Sequence, residues 1–257
     1  MLPHHETAVA ALVAQAEDEP TWDALILSGS LARGTARPDS DLDVYVVTDE
    51  PTRIGLASRC FLLPCDYPGG YVDGKVISRE VLETAAVRAP EPMRASFTGS
   101  RVLYSRVGDL QPLIDRIGAY PEAQRAQNLA DFAATFTIYA YYFAPQALER
   151  AEPFGTSHAI TQLVLTAGRM MLSLNRVLFP CPKQLFSSLA LCESLPEGFL
   201  AAATALLETP TKEGVTAFAS AVLEHAQWGQ PVETILTRFV ELDEWSWLAD
   251  EVPLLLR

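Results

Sequence analysis

The first 106 residues alternate between short apolar runs and polar turns, as the strands of a sheet and their connections do. Residues 59–63 fit either a strand or part of a helix that begins near Thr52. Ser78 is a suitable N-cap for a helix that Pro90 and Pro92 close. The pattern predicts a first helix over residues 5–19 and further strands over 24–28, 41–47, 70–78 and 101–105.

After residue 106 the strand signals stop, and apolar residues recur every three or four positions, which is the period of helices packed in a bundle. The sequence therefore predicts an α+β fold of two domains. A small mixed β-sheet with flanking helices occupies residues 1–106, and an all-helical bundle occupies residues 107–257. The clearest helical segments of the second domain are 129–143, 157–179, 215–223 and 235–248.

Two carboxylates stand two positions apart at the start of the second predicted strand, as Asp41 and Asp43. Alternate residues of a strand project from one face, about 6.5–7 Å apart. Such a pair is repulsive unless a cation lies between the side chains, and hard oxygen ligands favour Mg²⁺ or Mn²⁺. Leu42, Val44 and Val46 point to the opposite face, where the pattern predicts a buried core.

A phosphate site is predicted just before this pair. Gly29 allows a sharp turn at the end of the first strand and a close approach to a ligand. Ser30 opens a short helix whose free amides, with the serine hydroxyl, suit a phosphate, and Arg33 adds charge-assisted hydrogen bonds. The stretch has neither the Gly-Lys-Ser/Thr ending of a P-loop nor the Gly-x-Ser-x-Gly of a hydrolase elbow. It indicates chemistry on a nucleoside triphosphate.

The constellation resembles the nucleotidyltransferase superfamily, which includes DNA polymerase beta, aminoglycoside nucleotidyltransferases and the minimal nucleotidyltransferases. The family pattern is a Gly-Ser pair followed at a fixed short distance by Asp-x-Asp or Asp-x-Glu. Here ten residues separate Gly29–Ser30 from Asp41–Asp43, and Gly34 and Ser40 stand where the family often has them.

The resemblance implies further site residues. A third carboxylate comes from a strand after the Asp-x-Asp strand, for which Asp73 is the candidate and Asp66, beside a turn, is the rival. A basic residue of the helical domain reaches the triphosphate, for which Lys183 is the candidate, while Arg169 fits this role and a solvated helix face equally well. The implied nucleotide contacts are Gly29, Ser30, Arg33, Ser40 and Lys183, and the implied metal ligands and catalytic residues are Asp41, Asp43 and Asp73.

The implied activity is a nucleotidyltransferase that uses Mg²⁺ or Mn²⁺ and moves AMP from ATP to a hydroxyl of a small molecule, with release of pyrophosphate. An aminoglycoside-like cation is the expected acceptor, with Glu91 and Glu149 as candidates to line its half of a cleft between the domains. Two alternatives remain open. One is an antitoxin-like nucleotidyltransferase that acts on a partner protein, and the other is a nucleotide-binding protein of the same fold without turnover.

The composition narrows the class of protein. Of 257 residues, 49% are hydrophobic and 20% are charged, which is typical of soluble globular proteins, and no apolar run has the length of a membrane-spanning helix. The net charge of −13 and the lack of a Lys/Arg run argue against a nucleic-acid partner. The start of the chain lacks the pattern of a signal peptide. Together with these features, the four scattered cysteines indicate reduced thiols in a cytoplasmic protein.

Overall fold

The structure is a computed structural model that describes residues 1–48, 59–228 and 232–249. The chain divides into two compact units, Met1–Tyr120 and Pro121–Arg257. The α+β class predicted from the sequence, a mixed sheet with helices followed by a helical region, is confirmed. The helix start considered near Thr52 lies outside the described residues. Within them, no helix has the length and apolar character needed to cross a membrane.

A five-stranded sheet flanked by helices forms the first unit. The strands are β1 (Ala24–Leu27), β2 (Leu42–Val47), β3 (Cys60–Pro64), β4 (Tyr71–Ile77) and β5 (Arg101–Ser105), and the helices are α1 (Pro3–Asp18), α2 (Gly29–Arg33), α3 (Arg79–Arg88), α4 (Glu91–Phe97) and α5 (Leu110–Gly118). The strand order is β3-β4-β2-β1-β5. β2 runs parallel to β4, and the other neighbouring strands are antiparallel.

Both faces of this sheet are covered, which explains why its central strands are almost wholly apolar. The alternation of β2 sends Val44 and Val46 to the face that packs on α1. It sends Tyr45 and Val47 to the other face, where α3, α4 and α5 pack. Leu42 joins the first of these cores, so the buried face predicted for this strand is confirmed.

Two helices of the first unit, α4 and α5, are absent from the sequence prediction. Pro92 lies in the first turn of α4, where proline is tolerated, so the same prolines that close α3 also allow a new helix to begin. α5 packs on α3, α4 and β5, and it buries Leu113 and Ile117 in their common core. For this reason the first unit extends to Tyr120 and does not stop at residue 106.

The described part of the second unit is helical. α8 lies at its centre, packs on its helical neighbours, and buries Leu163, Met170 and Met171 completely, so its apolar stripe forms a core. The segments are α6 (Glu122–Ile138), a π-helical turn (Tyr139–Phe143), α7 (Ala144–Arg150), α8 (Pro153–Leu174), a 3₁₀ turn (Pro182–Gln184), α9 (Leu185–Leu189), α10 (Phe199–Glu208), α11 (Lys212–His225), α12 (Val232–Leu242) and a second 3₁₀ turn (Ser246–Ala249).

Candidate active site

The three carboxylates predicted from the sequence meet on one face of the sheet in the first unit. Asp43 and Asp73 are direct register partners on the parallel strands β2 and β4. Adjacent strands lie about 4.8 Å apart, so these two side chains are close neighbours. Asp41 stands one residue before β2 and two before Asp43, which gives it the same direction.

The rival carboxylate, Asp66, lies elsewhere. It sits in the turn between β3 and β4 and lines a separate pocket of about 340 Å³, together with Leu12 of α1 and Val72. Leu12 and Val72 belong to the core on the α1 face, which is opposite the face that carries Asp43 and Asp73. The structure thus brings Asp73, and not Asp66, to the Asp-x-Asp pair.

Gly29 lies directly against Asp43. The backbone of Gly29 is left-handed, with φ of 67°, and a Cβ atom there would lie only 2.7 Å from Cγ of Asp43 and overlap its carboxylate. The amide of Ser28 donates to the backbone oxygen of Asp43 at 2.8 Å, which fixes the two segments side by side. Glycine is therefore required both for the turn and for the close approach of the carboxylate.

The other predicted nucleotide contacts surround this turn. Ser30 is the second residue of α2 and half-buried, and within the described chain its hydroxyl has no hydrogen-bond partner. Arg33 ends α2 with an exposed side chain. Ser40 is buried, and its Oγ accepts a hydrogen bond from the amide of Arg37 at 2.8 Å. Ser40 therefore shapes the turn that leads into Asp41.

Burial and the neighbouring carboxylates make the charged form of Asp43 less favourable. Burial raises the pKa of Asp43, and the charges of Asp41 and Asp73 add to that effect, while Lys75 and Arg33 oppose it. This is the behaviour of like charges that share a partly buried site, and a divalent cation would relieve it.

Lys75 is a site residue that the sequence prediction did not assign. Its Nζ lies 3.0 Å from Oδ2 of Asp73, and 5.9 Å from the centre of the Tyr45 ring. Burial lowers the pKa of Lys75, but hydrogen bonding to Asp73 and its charge outweigh that effect and leave the pKa raised. The signal was present in the sequence, because Lys75 follows Asp73 by two positions in a strand and so shares its face.

Aromatic residues support the loop that precedes Asp41. The hydroxyl of Tyr67 donates to the backbone oxygen of Ser40 at 2.7 Å, and His4 hydrogen-bonds the carbonyl of Pro38 at 3.0 Å. The rings of His4 and Tyr67 are 4.6 Å apart, and His5 packs against both with no exposed surface. Burial is the main cause that raises the pKa of Tyr67 to about 12.

The basic residues predicted from the helical region belong to the second unit. Lys183 is exposed on the 3₁₀ turn Pro182–Gln184, and its role as a phosphate contact stays a prediction. The guanidinium of Arg169 lies 4.3 Å from the ring of Phe132 and 4.4 Å from that of Phe179. Arg169 thus has a packing role between two aromatic rings.

The side chains that could hold a metal at this site are carboxylates, and carboxylate oxygens are the ligands that hard divalent cations prefer. In the described ranges, no group of three or more His, Cys, Asp or Glu side chains is already arranged around one metal position. The ion pair with Lys75 holds one oxygen of Asp73, which leaves Asp41 and Asp43 as the best-placed first ligands. The four cysteines are all unpaired.

Two family models match this chain, and one of them covers the candidate site. Residues 16–87 match the family model described as a nucleotidyltransferase domain, and this range contains all three carboxylates and the Gly29–Ser30 turn. Residues 87–184 match a second model, described as a domain of unknown function (DUF4037). The first match supports the superfamily resemblance and nucleotidyl transfer as the general function.

A solved structure is also similar to this chain. It is the crystal structure of a nucleotidyltransferase-like protein from Exiguobacterium sibiricum 255-15, with 11% sequence identity and a TM-score of 0.49. The similarity covers 97% of this chain and 81% of that one. No curated protein matches this chain.

Proposed function

We propose that the protein is a metal-dependent nucleotidyltransferase that moves AMP from ATP to a hydroxyl group of a small molecule and releases pyrophosphate. One observation carries this proposal: Asp43 is in register with Asp73 on the neighbouring parallel strand, and Gly29 lies directly against it. The arrangement joins a phosphate-binding turn to a group of carboxylates. The nucleotidyltransferase match over residues 16–87 supports the reaction class.

The roles follow from the chemistry of each group. Asp41 and Asp43 are the proposed ligands of Mg²⁺ or Mn²⁺, with Asp73 beside them. When bound, the metal supplies Lewis-acid stabilisation of the triphosphate. The hydroxyl of Ser30 and the amides at the start of α2 bind the β- and γ-phosphates, and Arg33 adds a cation at the other end of that short helix.

The transfer is a single displacement at the α-phosphorus. The acceptor hydroxyl oxygen forms a bond to this phosphorus, and the bond from the phosphorus to the bridging oxygen of the β-phosphate breaks. Pyrophosphate leaves with the bonding electron pair. The hydroxyl proton passes to Asp73, a role we assign because Lys75 holds this carboxylate in place at 3.0 Å.

A titration with a non-hydrolysable ATP analogue tests the proposal. Calorimetry with Mg²⁺ should show binding to the wild type, and this binding should disappear in the double variant Asp41→Asn/Asp43→Asn or when the metal is chelated. Asp66→Asn is the matched control, since it removes a carboxylate from the opposite face of the sheet and should bind as the wild type does. Equal binding by the double variant would refute the proposed site.

A further inference from the structure

A second cavity adjoins the carboxylates, on the same face of the sheet and within the first unit. Its floor includes Tyr45 and Lys75, which stand two residues beyond Asp43 and Asp73 on the same two strands. Met93 of α4 lines one wall. The volume is about 640 Å³, which falls in the usual range for sites that bind small molecules. We call this cavity the Tyr45 pocket.

The polar side chains of the floor and of the α4 wall are paired within the chain. Ser96 donates to the carbonyl of Met93 at 2.7 Å, so the hydroxyl of Tyr45, at 2.9 Å from Ser96, is the donor of that second hydrogen bond. The ammonium group of Lys75 is paired with Asp73 at 3.0 Å. These groups therefore leave no unpaired charge for a ligand.

The remaining lining adds no charge on this face of the sheet. Ser78 caps α3, where its hydroxyl accepts from the amide of Val81 at 3.3 Å. Cys60 is the register partner of Lys75 and shares its face, so the side chain of the preceding residue, Arg59, lies on the opposite face. The other described lining residues are apolar: Val76, Ile77, Val81, Pro90, Pro92 and Met93.

An uncharged hydrocarbon group is the ligand that this lining complements. Apolar surface gains free energy when it leaves water. A charged or multiply hydroxylated group would lose its hydration in the pocket without gaining a partner. A nucleobase is a poorer match for the same reason, since its ring nitrogens and amino groups need hydrogen-bond partners.

The acidic residues expected to receive a cationic acceptor do not line this pocket. Glu91 is 4% exposed in the first turn of α4, and Glu149 belongs to α7 of the second unit, 3.8 Å from Lys212. The described lining contains no Asp or Glu. An aminoglycoside-like cation would therefore meet no compensating carboxylate in the walls of the Tyr45 pocket.

We propose that the Tyr45 pocket holds the uncharged apolar body of the acceptor, so that the acceptor is a hydroxy compound with a hydrocarbon body. This inference rests on the proposed function. Lys75 connects the two parts of the site, because it lines the pocket and its Nζ lies 3.0 Å from Oδ2 of Asp73. A hydroxyl at the Lys75 end of the bound body lies beside Asp73, the proposed base.

The hydrocarbon body takes no part in the chemical step. The oxygen of the acceptor hydroxyl forms a bond to the α-phosphorus of ATP, and its proton passes to Asp73. The bond from this phosphorus to the bridging oxygen of the β-phosphate breaks, and pyrophosphate leaves with the electron pair. The pocket therefore determines which hydroxy compound reacts, and it leaves the binding of the triphosphate to the carboxylates and the turn at Gly29.

Straight-chain primary alcohols test this inference. The affinities of butanol, hexanol and octanol are measured by calorimetry with the full chain, in the presence and absence of Mg²⁺ and a non-hydrolysable ATP analogue. Amino-octanol and hydroxyoctanoate, with the charged group at the far end, keep the chain and add a positive or a negative charge. Octanol should also protect the exposed thiol of Cys60 from alkylation, whereas Cys65, which lines the pocket on the opposite face, should react as before.

The affinity should rise about threefold to fourfold with each methylene group added between butanol and octanol. Both charged probes should bind at least about tenfold more weakly than octanol, because the lining offers no partner for either charge. With ATP and Mg²⁺, the label of the α-phosphate should pass to octanol with a higher kcat/KM than to butanol.

Two variants of the same helix provide a matched comparison. Val81→Asp places a carboxylate in the wall and should weaken octanol binding at least about tenfold. Val87→Asp makes the same change in α3 at a residue that is 76% exposed and does not line the pocket, so it should bind octanol as the wild type does. Met93→Trp should exclude octanol by filling the pocket. Val81 is itself 39% exposed, so its variant tests the proposal even if Met93→Trp does not fold.

Several results would overturn the inference. They are an affinity that does not grow with chain length, a charged probe that binds as tightly as octanol, and equal losses in Val81→Asp and Val87→Asp. Protection of Cys60 by the ATP analogue alone would assign the pocket to the nucleobase, and transfer to octanol no faster than to butanol would remove its role in acceptor binding.

The failure of the proposed function would look different, since the ATP analogue would then show no metal-dependent binding to the wild type. Binding of the analogue without binding of octanol would reject the Tyr45 pocket and leave the triphosphate site intact.

Discussion

The contact between Gly29 and Asp43 gives a quantitative prediction for Gly29→Ala. An L-residue in the left-handed conformation, at φ of 67°, costs about 1–2 kcal/mol. The new Cβ would also displace the Asp43 carboxylate, and a side chain forced from its rotamer costs about 0.5–1.5 kcal/mol. The free energy of unfolding should therefore fall by about 1.5–3.5 kcal/mol.

Gly34→Ala is the matched control for this change. Gly34 ends the same short helix with φ of 75°, but a Cβ there would meet no atom within 4 Å. Gly34→Ala should therefore lower the free energy of unfolding only by the cost of the left-handed backbone, about 1–2 kcal/mol. The change in the entropy of the unfolded chain is the same for both variants. Urea denaturation measures the difference.

The same pair of variants separates stability from function. Because a displaced Asp43 would no longer meet the proposed metal ion correctly, Gly29→Ala should weaken binding of the Mg²⁺–ATP analogue on the order of tenfold to a hundredfold, while Gly34→Ala should leave it nearly unchanged. Equal unfolding free energies and equal nucleotide affinities for the two variants would refute the reasoning from this contact.

Three further predictions concern other groups of the first unit. Arg94→Met should lower the unfolding free energy by about 3 kcal/mol, because the buried guanidinium donates to three carbonyls at the end of α3 and to one in α5. A loss below about 1 kcal/mol in urea denaturation would contradict this. Burial lowers the pKa of His5 below 6.5, so the unfolded chain binds a proton more readily, and stability should decrease as the pH falls below about 6.5. His5→Phe should make the free energy of unfolding depend less on pH between about pH 7 and 5.5. An unchanged slope would contradict this role of His5. Asp73→Asn should reduce the transfer rate by about 10²–10⁴, whereas Asp66→Asn should not; steady-state kinetics with equal effects of the two would reject the assignment of the base.

The sequence predicts the sheet well because local alternation decides which face each strand residue occupies. The strand-like runs correspond to β1, β2, β4 and β5, and Ser78 caps α3 by accepting a hydrogen bond from Val81. The α4–α5 region was missed although its signals are local. Leu110, Leu113 and Ile117 have helical spacing on one face, but the shift in composition near residue 106 assigned them to the following bundle.

The residues of the candidate site also differ in how far the sequence alone predicts their positions. Asp41 and Asp43 follow from spacing within one strand, while the position of Asp73 depends on the register between two strands that are 30 residues apart in the chain. The packing of Arg169 between Phe132 and Phe179 depends on tertiary contacts, so its helical position alone did not separate a packing role from a phosphate contact. Pairings between distant segments are not encoded in local periodicity.

The most direct test of nucleotidyl transfer follows the phosphorus atoms of ATP. ATP labelled at the α- or the γ-phosphate is incubated with Mg²⁺, the wild-type chain or Asp43→Asn, and a panel of small molecules that carry hydroxyl groups. The account predicts that the α-label moves to the acceptor and the γ-label appears in pyrophosphate in equal amount, and that both signals are lost in Asp43→Asn. Release of the γ-label as orthophosphate, or equal transfer by the variant, would contradict it.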